Sequence, residues 1–506
     1  LAETEENEGS TLRGDAQRSL PFAALSGALQ ILLSVVGMLL LVRYLSPEIY
    51  GKWAVLMGFA APVMLFTSLG FRHSLLRFSA ALESDQARCR FLWSVLFRRC
   101  LTLLVVCIVL FATFPFYESR FGVAGQGNVF ALMLPAFLFL AASQYLVIGL
   151  NVALRQREVF IGSLIFQGSS ILGVLLGIRL EESLPFFAGA YLVANLNYLL
   201  FNFSVGIYFL GRPKWQDLTY RHQEDSEETH YRRTSFVDDL GNSFLSADVS
   251  RFILAAFSSS PQVAIYSVAS NITEKLRALI PLEIFRPLTT VLFFRRYEET
   301  GTISEVNRMF HLLLKLNRIL TTAFLVLFIP LGYEVIVWIF RADYGPAYFP
   351  VVALLIGIGL FGMPIGLVAQ ALKRPQWLVY SKLAVFLNVG LGIPLAIHYG
   401  ALGMASAMAL SGLMKNLIVY VLLRREFPIS YPWLSTLQFA FSGISVALLL
   451  WLLKGSVHFL IAGGIGTLAW LAAIRLFRIL SSEDRELLSG VAPERFRRGL
   501  QLLLGN

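Results

Sequence analysis

Between Ser235 and Phe257 the chain reads SFVDDLGNSFLSADVSRFILAAF, long enough to cross a bilayer as a helix yet far from uniformly apolar. It carries Asp238, Asp239, Asn242, Asp248 and Arg251. An ionisable group at mid-bilayer costs roughly 2.5–3.5 kcal/mol, so such residues face a protein interior or a wet cavity. A plain alternative exists for one pair: Asp248 and Arg251 share a helical face and can simply neutralise each other. The next apolar stretch, SVASNITEKLRALIPLEIF, adds Asn271 and Lys275 on one face and Glu274 and Arg277 on another. Earlier in the chain, Gln30 and Ser34 share a face of the first apolar run, Arg43 closes that run, and Asn195, Asn197 and Asn202 interrupt the sixth.

Cations and amides with carboxylates nearby suit an anionic or polyhydroxylated substrate. Arginine grips a phosphate through paired hydrogen bonds, and amides serve sugar hydroxyls. The candidate substrate-binding residues are therefore Arg251, Lys275, Arg277, Asn242, Asn271, Arg43, Gln30 and Asn195, and the candidate ion-coupling residues are Asp248, Glu274, Asp238 and Asp239. Structural alternatives stand beside them: Arg43 as a snorkelling surface anchor, the asparagines of the sixth run as interhelical glue.

The elements that must hold these residues follow from composition. Of 506 residues, 56% are hydrophobic and only 15% charged. Apolar runs near 20 residues recur throughout, which excludes barrel strands and predicts an all-α polytopic membrane protein. About fourteen helices are expected, with spans near 21–42, 49–71, 92–115, 128–150, 159–178, 184–210, 235–257, 262–293, 309–331, 348–371, 377–397, 402–423, 434–453 and 457–477. The net charge of +10 does not signal nucleic acid, because most basic residues lie between spans and collect on one side of an alternating topology. That side is cytoplasmic by the positive-inside rule, which places both termini there. The polar start lacks the order of a secretory signal, so the first span is expected to direct insertion.

Two local matches indicate an internal repeat. YLSPEIYGKWAV resembles FSSSPQVAIYSVA, and ALRQREVFIGS resembles ALKRPQWLVYS, at similar offsets and equivalent places in the helix count. The predicted organisation is a cytoplasmic tail (1–20), a six-helix lobe (21–210), a cytoplasmic loop (211–234), a second six-helix lobe (235–423), two further helices (434–477) and a basic amphipathic tail (478–506). Two lobes in parallel repeat with polar inner faces form the architecture of an alternating-access transporter.

Other motifs fail on context. GIGLFG at 357–362 matches a dinucleotide fingerprint but lies in an apolar span with no preceding strand, where small residues permit close packing. The glycosylation pattern Asn271-Ile272-Thr273 is membrane-buried, the six histidines lack metal-ligand spacing, and Cys89, Cys100 and Cys107 make neither a disulfide framework nor a metal site. There is no phosphate-binding loop for ATP. No metal, cofactor or catalytic group is called for.

The run LLLVRYLSPEIYGKWAVLMGFAAPVMLFTSLGFRHSLLRFSA resembles the opening helices of polysaccharide (O-antigen, Wzx-type) flippases of the multidrug/oligosaccharidyl-lipid/polysaccharide (MOP) exporter superfamily. The matching positions are Arg43, Ser46, Pro47, Gly51, Leu69, Gly70 and Arg72, with Ser46 replacing the commoner glycine. Asp248, Arg251 and the Ser-Pro to Tyr266 turn resemble the start of that family's second lobe. The resemblance implies a MATE-like flippase that moves an undecaprenyl-diphosphate-linked glycan from the cytoplasmic to the periplasmic leaflet of a bacterial inner membrane. Arg251, Lys275 and Arg277 would bind diphosphate, Asn242 and Asn271 sugar, and Asp248 and Glu274 would hold the cations or exchange an ion, H+ or Na+. Membrane lipids and a polysaccharide polymerase machinery are the implied partners. A lipid II flippase or a drug exporter of the same superfamily, an integral-membrane glycan polymerase or ligase, and a non-transporting scaffold are the alternatives.

Overall fold

A computed structural model describes residues 29–78, 84–153, 155–180, 183–220, 226–280, 301–372, 374, 376–477, 479–481 and 484. Among these there is no strand, only an isolated bridge between Lys454 and Val457. The all-α expectation holds. The chain forms two compact units, one up to Ala264 and one from Ile265.

The first unit starts with α1 (Leu29–Tyr44), α2 (Pro47–Gly58), α3 (Ala60–Ser68), α4 (Phe71–Phe78) and α5 (Asp85–Tyr117). It continues with α6 (Gly127–Val152), α7 (Gln156–Leu180), α8 (Leu184–Leu210), the one-turn α9 (Trp215–Leu218), α10 (Ser226–Phe244) and α11 (Ala247–Phe257). Local chemistry sets several starts. Ser46 caps α2 by accepting from Ile49 N, with Pro47 at the first helical position, where its missing N–H costs nothing. Ser84 caps α5 in the same way.

Between α3 and α4 the chain turns through two left-handed residues, Leu69 (φ 46°) and Gly70 (φ 78°). A Cβ at Gly70 would collide with the Arg232 carbonyl, so α10 lies directly on this turn. Gly51 is similarly pressed against the Ser260 carbonyl. Phe71, Leu75, Phe91, Trp93 and Leu146 form the buried core beneath α4.

The second unit receives α12 (Ser260–Ala278), within which the division falls, and then α13 (Ile303–Ile339), α14 (Tyr348–Phe361), α15 (Ile365–Ala371), α16 (Gln376–Ser381), α17 (Ala384–Glu426), α18 (Trp433–Leu453) and α19 (Phe459–Leu476). One core joins Phe310, Leu314, Val368 and Trp377; another joins Val326, Leu450 and Trp470. Outward apolar faces, such as Leu437, Phe441, Ile444 and Leu448 on α18, are exposed at the helical interval, as lipid contact requires.

Ten described helices are long and apolar enough to span a membrane. One of them, the 51-residue stretch Gln376–Glu426, would run about 75 Å if straight, twice what one crossing needs. It bends at Gly400 (φ 55°), which accounts for the two spans expected there. Of the remaining expected crossings, α1 is apolar but short, whereas α10, α11 and the described part of α12 are not among the helices long and apolar enough to span; residues 281–293 lie outside the described residues. The tails at 1–20 and 485–506 also lie outside them.

Besides 49–71, interrupted at Phe59 and at Leu69–Gly70, and 377–397, interrupted at Lys382–Leu383, two further expected helices are broken. The stretch 235–257 divides at Leu245–Ser246, where the last turn of α10 tightens to i→i−3 bonds and Ser246 becomes extended (φ −88°, ψ 163°). Moreover, α10 starts nine residues before 235, within the stretch read as a loop, because the buried Glu228 accepts a 2.5 Å hydrogen bond from Ser74. The span 348–371 divides at Gly362, just before Pro364, which cannot continue an α-helical ladder.

The second pair of matched segments forms the same turn in both places. After α6 the turn residue Ala153 has φ −80°, ψ 7°, and Arg155 N donates to Leu150 O at 2.8 Å. After α15, Leu372 has φ −77°, ψ 11°, and Arg374 N donates to Ala369 O at 2.8 Å.

Candidate functional site

Within the first unit, α3, α4, α6 and α10 line a half-open cavity of about 340 Å³, at the lower end of the roughly 300–1,000 Å³ usual for small-molecule sites. Ala61, Met64 and Leu65 from α3 and Ala141 and Ile148 from α6 supply apolar wall. Arg72, Gln144, Tyr145, Asp239, Asn242 and Ser243 supply the polar groups, with Ser68 and Ser246 at two helix ends.

The turn at Gly70 positions Arg72, and the i, i+3 spacing of Asp239 and Asn242 sets both on one face of α10. Gln144 is the exposed residue in a stretch of α6 that is otherwise almost wholly buried. Neither Arg72 nor Gln144 makes a side-chain hydrogen bond or ion pair with a described residue. The Tyr145 hydroxyl is also without a partner among them, although the residue is only 6% exposed. A buried donor left unmade costs about 1–3 kcal/mol, which a ligand or ordered water filling the cavity would recover.

Asp239 is held by His73. The His73 Nε2 lies 3.2 Å and 3.1 Å from the two carboxylate oxygens. The hydrogen bond to Asp239 raises the His73 pKa above its ordinary value, aided by the Asp239 and Asp238 charges and opposed by partial burial and by Arg72.

Apart from Asn242, the other sequence candidates fall elsewhere. Asn242 donates to Asp238 Oδ2 at 2.9 Å along α10. Asp248 and Arg251 form an i,i+3 ion pair of 2.5 Å on α11 and do not line the cavity. Asn195 is fully buried and donates to the Tyr191 carbonyl of its own helix, while Asn197 reaches Ser169 of α7 at 3.2 Å, an interhelical contact. Gln30 and Arg43 are exposed on α1. Asn271 and Lys275 are half-buried one turn apart on α12, and Glu274 and Arg277 are exposed. Of the expected residues the cavity gathers Asp239 and Asn242. Arg72, Gln144, Tyr145 and His73 were not among the candidates. Arg72 read as a topology charge and His73 as a histidine without metal spacing, but Gln144 was visible as a lone amide in an apolar run.

A model for a family described as polysaccharide biosynthesis protein matches residues 20–293, more than half of the chain. The chain belongs to this family. Among solved structures, the polysaccharide biosynthesis chain resembles the lipid II flippase MurJ in an inward closed conformation, with TM-score 0.71 and 15% identity over 92% of this chain and 99% of that one. An inward-facing multidrug resistance MATE family transporter of the MOP superfamily gives 0.59 and 17% over 80% and 98%. A MOP superfamily transporter from Pyrococcus furiosus gives 0.53 and 16% over 82% and 96%. No curated protein matches. This member of the polysaccharide biosynthesis family is a multi-pass membrane protein with the fold of MOP-superfamily transporters, as the opening motif implied.

Proposed function

We propose that the chain is a flippase that moves a polyprenyl-diphosphate-linked oligosaccharide from the cytoplasmic to the periplasmic leaflet of a bacterial inner membrane, for surface polysaccharide biosynthesis. The observation that carries this reading is the first-unit cavity, lined by Arg72, Gln144, Tyr145 and Asn242, where the Tyr145 hydroxyl has no partner among the described residues. A guanidinium suits the diphosphate, and amides and hydroxyls suit the sugar, while the lipid tail stays in the bilayer. Arg251, Lys275 and Arg277 would meet the diphosphate in the other state of an alternating-access cycle of two lobes, with Asn271 toward the sugar. Asp248 and Glu274 would balance these cations or exchange an ion. Gln30 and Arg43 on α1 would complete the path.

A strain lacking the gene tests this. Undecaprenyl-linked sugars should accumulate on the cytoplasmic leaflet, beyond reach of a periplasmic glycan probe, and return to it with the wild-type gene but not with Arg72→Gln/Gln144→Ala. Normal periplasmic exposure with unpolymerised units collecting there would overturn flipping and favour a polymerase. Because the match to MurJ extends over 92% of the chain, against 80% for the MATE transporter, lipid II is the second substrate to try. Rescue of a strain depleted of its lipid II flippase would favour it.

A further inference from the structure

We propose that the His73–Asp239 pair makes anion binding in the first-unit cavity proton-dependent, so that the cavity binds a diphosphate with His73 protonated and releases it when His73 is neutral. The inference rests on the reading of this cavity as a diphosphate-sugar site and adds how its affinity is set.

The argument starts from the charges that line the space. Arg72 is a permanent cation and Asp239 a carboxylate, and both face the cavity. Asp239 receives His73 through both oxygens. Since a carboxylate only accepts, Nε2 keeps its hydrogen throughout, and the proton that comes and goes sits on Nδ1. With Nδ1 protonated, imidazolium and carboxylate cancel and Arg72 presents a net positive charge to the ligand. With Nδ1 bare, the carboxylate offsets Arg72 and repels the anion. The interaction is one unit charge at short range in a partly buried setting, where Coulomb effects are stronger than in water.

The neighbours of His73 do not compete for this role. From α10, Asp238 adds a further negative charge, Glu228 is bonded to Ser74, and Glu227 is paired with Arg77 at 2.8 Å. The guanidinium of Arg232, also on α10, lies 4.5 Å from the Phe71 ring, and that of Arg99 on α5 lies 4.4 Å from it. From α6 the group at hand is the Tyr145 phenol. Histidine is the side-chain type among these whose ordinary titration falls within the neutral range. The raised His73 pKa brings the change closer to the pH of a cytoplasm.

The test uses the full chain in lipid nanodiscs with UDP-glucose as probe, because its diphosphate is esterified on both sides and keeps its charge from pH 5.5 to 8.5. Wild type should bind about tenfold more weakly at pH 8.5 than at 5.5, the change that a one-unit coupled shift produces. His73→Gln keeps the donor to Asp239 but cannot take the second proton, so its affinity should stay at the weak value throughout. Asp239→Asn should bind tightly at both ends. A role confined to holding α4 against α10 would alter melting without removing the pH slope. Equal wild-type binding at both pH values, or a slope that persists in His73→Gln, overturns the inference and leaves the cavity reading standing. Absence of UDP-glucose binding at either pH overturns the cavity reading itself.

Discussion

Tyr145 states most sharply what the cavity is for, because its ring is buried while its hydroxyl has no partner among the described residues. A residue kept only for packing would lose nothing as phenylalanine. Tyr145→Phe should therefore leave the melting temperature unchanged or raise it by a degree or two, since an unmade buried donor costs about 1–3 kcal/mol, yet lower glycan export several-fold. Thermal melts of the purified protein beside a surface-polysaccharide assay check both halves. A fall in melting temperature with export retained would make the hydroxyl structural. Asn195 was a candidate from its place in an apolar span, but its side-chain N–H donates to its own helix and the residue does not line the cavity. Composition reveals an amide in a span, while its direction depends on the neighbouring helix.

At the scale of elements, the site depends on α10 lying against α4. Gly70 permits it twice, by adopting φ 78° and by leaving room for the Arg232 carbonyl. Gly125 makes a useful comparison, with φ 73° and nothing within reach of a Cβ. Gly125→Ala should cost about 1 kcal/mol from backbone strain alone. Gly70→Ala adds a collision with main chain and should cost at least twice as much, seen as a larger drop in melting temperature and loss of the His73–Asp239 contact. The same region shows why the sequence reading of 235–257 stopped short. Hydropathy marks where a chain is greasy, and α10 is not; its course is set by Glu228, Glu227 and Asp239 meeting Ser74, Arg77 and His73 from more than a hundred residues away. By contrast, helices such as α6, α8 and α18 carry long apolar runs without charged residues, and their limits fall within a few residues of those expected.

Over the whole molecule, the class and the family were legible because each is written in local patterns: span length and the opening motif. Long-range polar pairs were not. In the second unit Lys315 of α13 meets Asp484 at 2.5 Å, with side chains only 12% and 6% exposed. Burial works to raise the Asp484 carboxyl, but hydrogen bonds from Lys315 and from the Ser481 backbone and hydroxyl outweigh it and hold the pKa below its ordinary value. A lowered folded-state pKa contributes stability that is present above the unfolded carboxylate value and lost as pH falls through the folded one. The stability gap between wild type and Asp484→Asn should therefore be constant from pH 8 to about 5 and close below about pH 4. Melting curves across that range decide it, and a gap that persists in acid would remove the ion pair as its cause.

That bond also has a bearing on how the chain can be handled. Asp484 follows the last apolar helix, where a cut would look harmless on hydropathy alone. A truncation or reporter fused at Leu480 would leave the Lys315 ammonium buried with its carboxylate gone. A purification handle placed beyond Asp484 keeps this ion pair, which ties the chain after the last apolar helix back to α13.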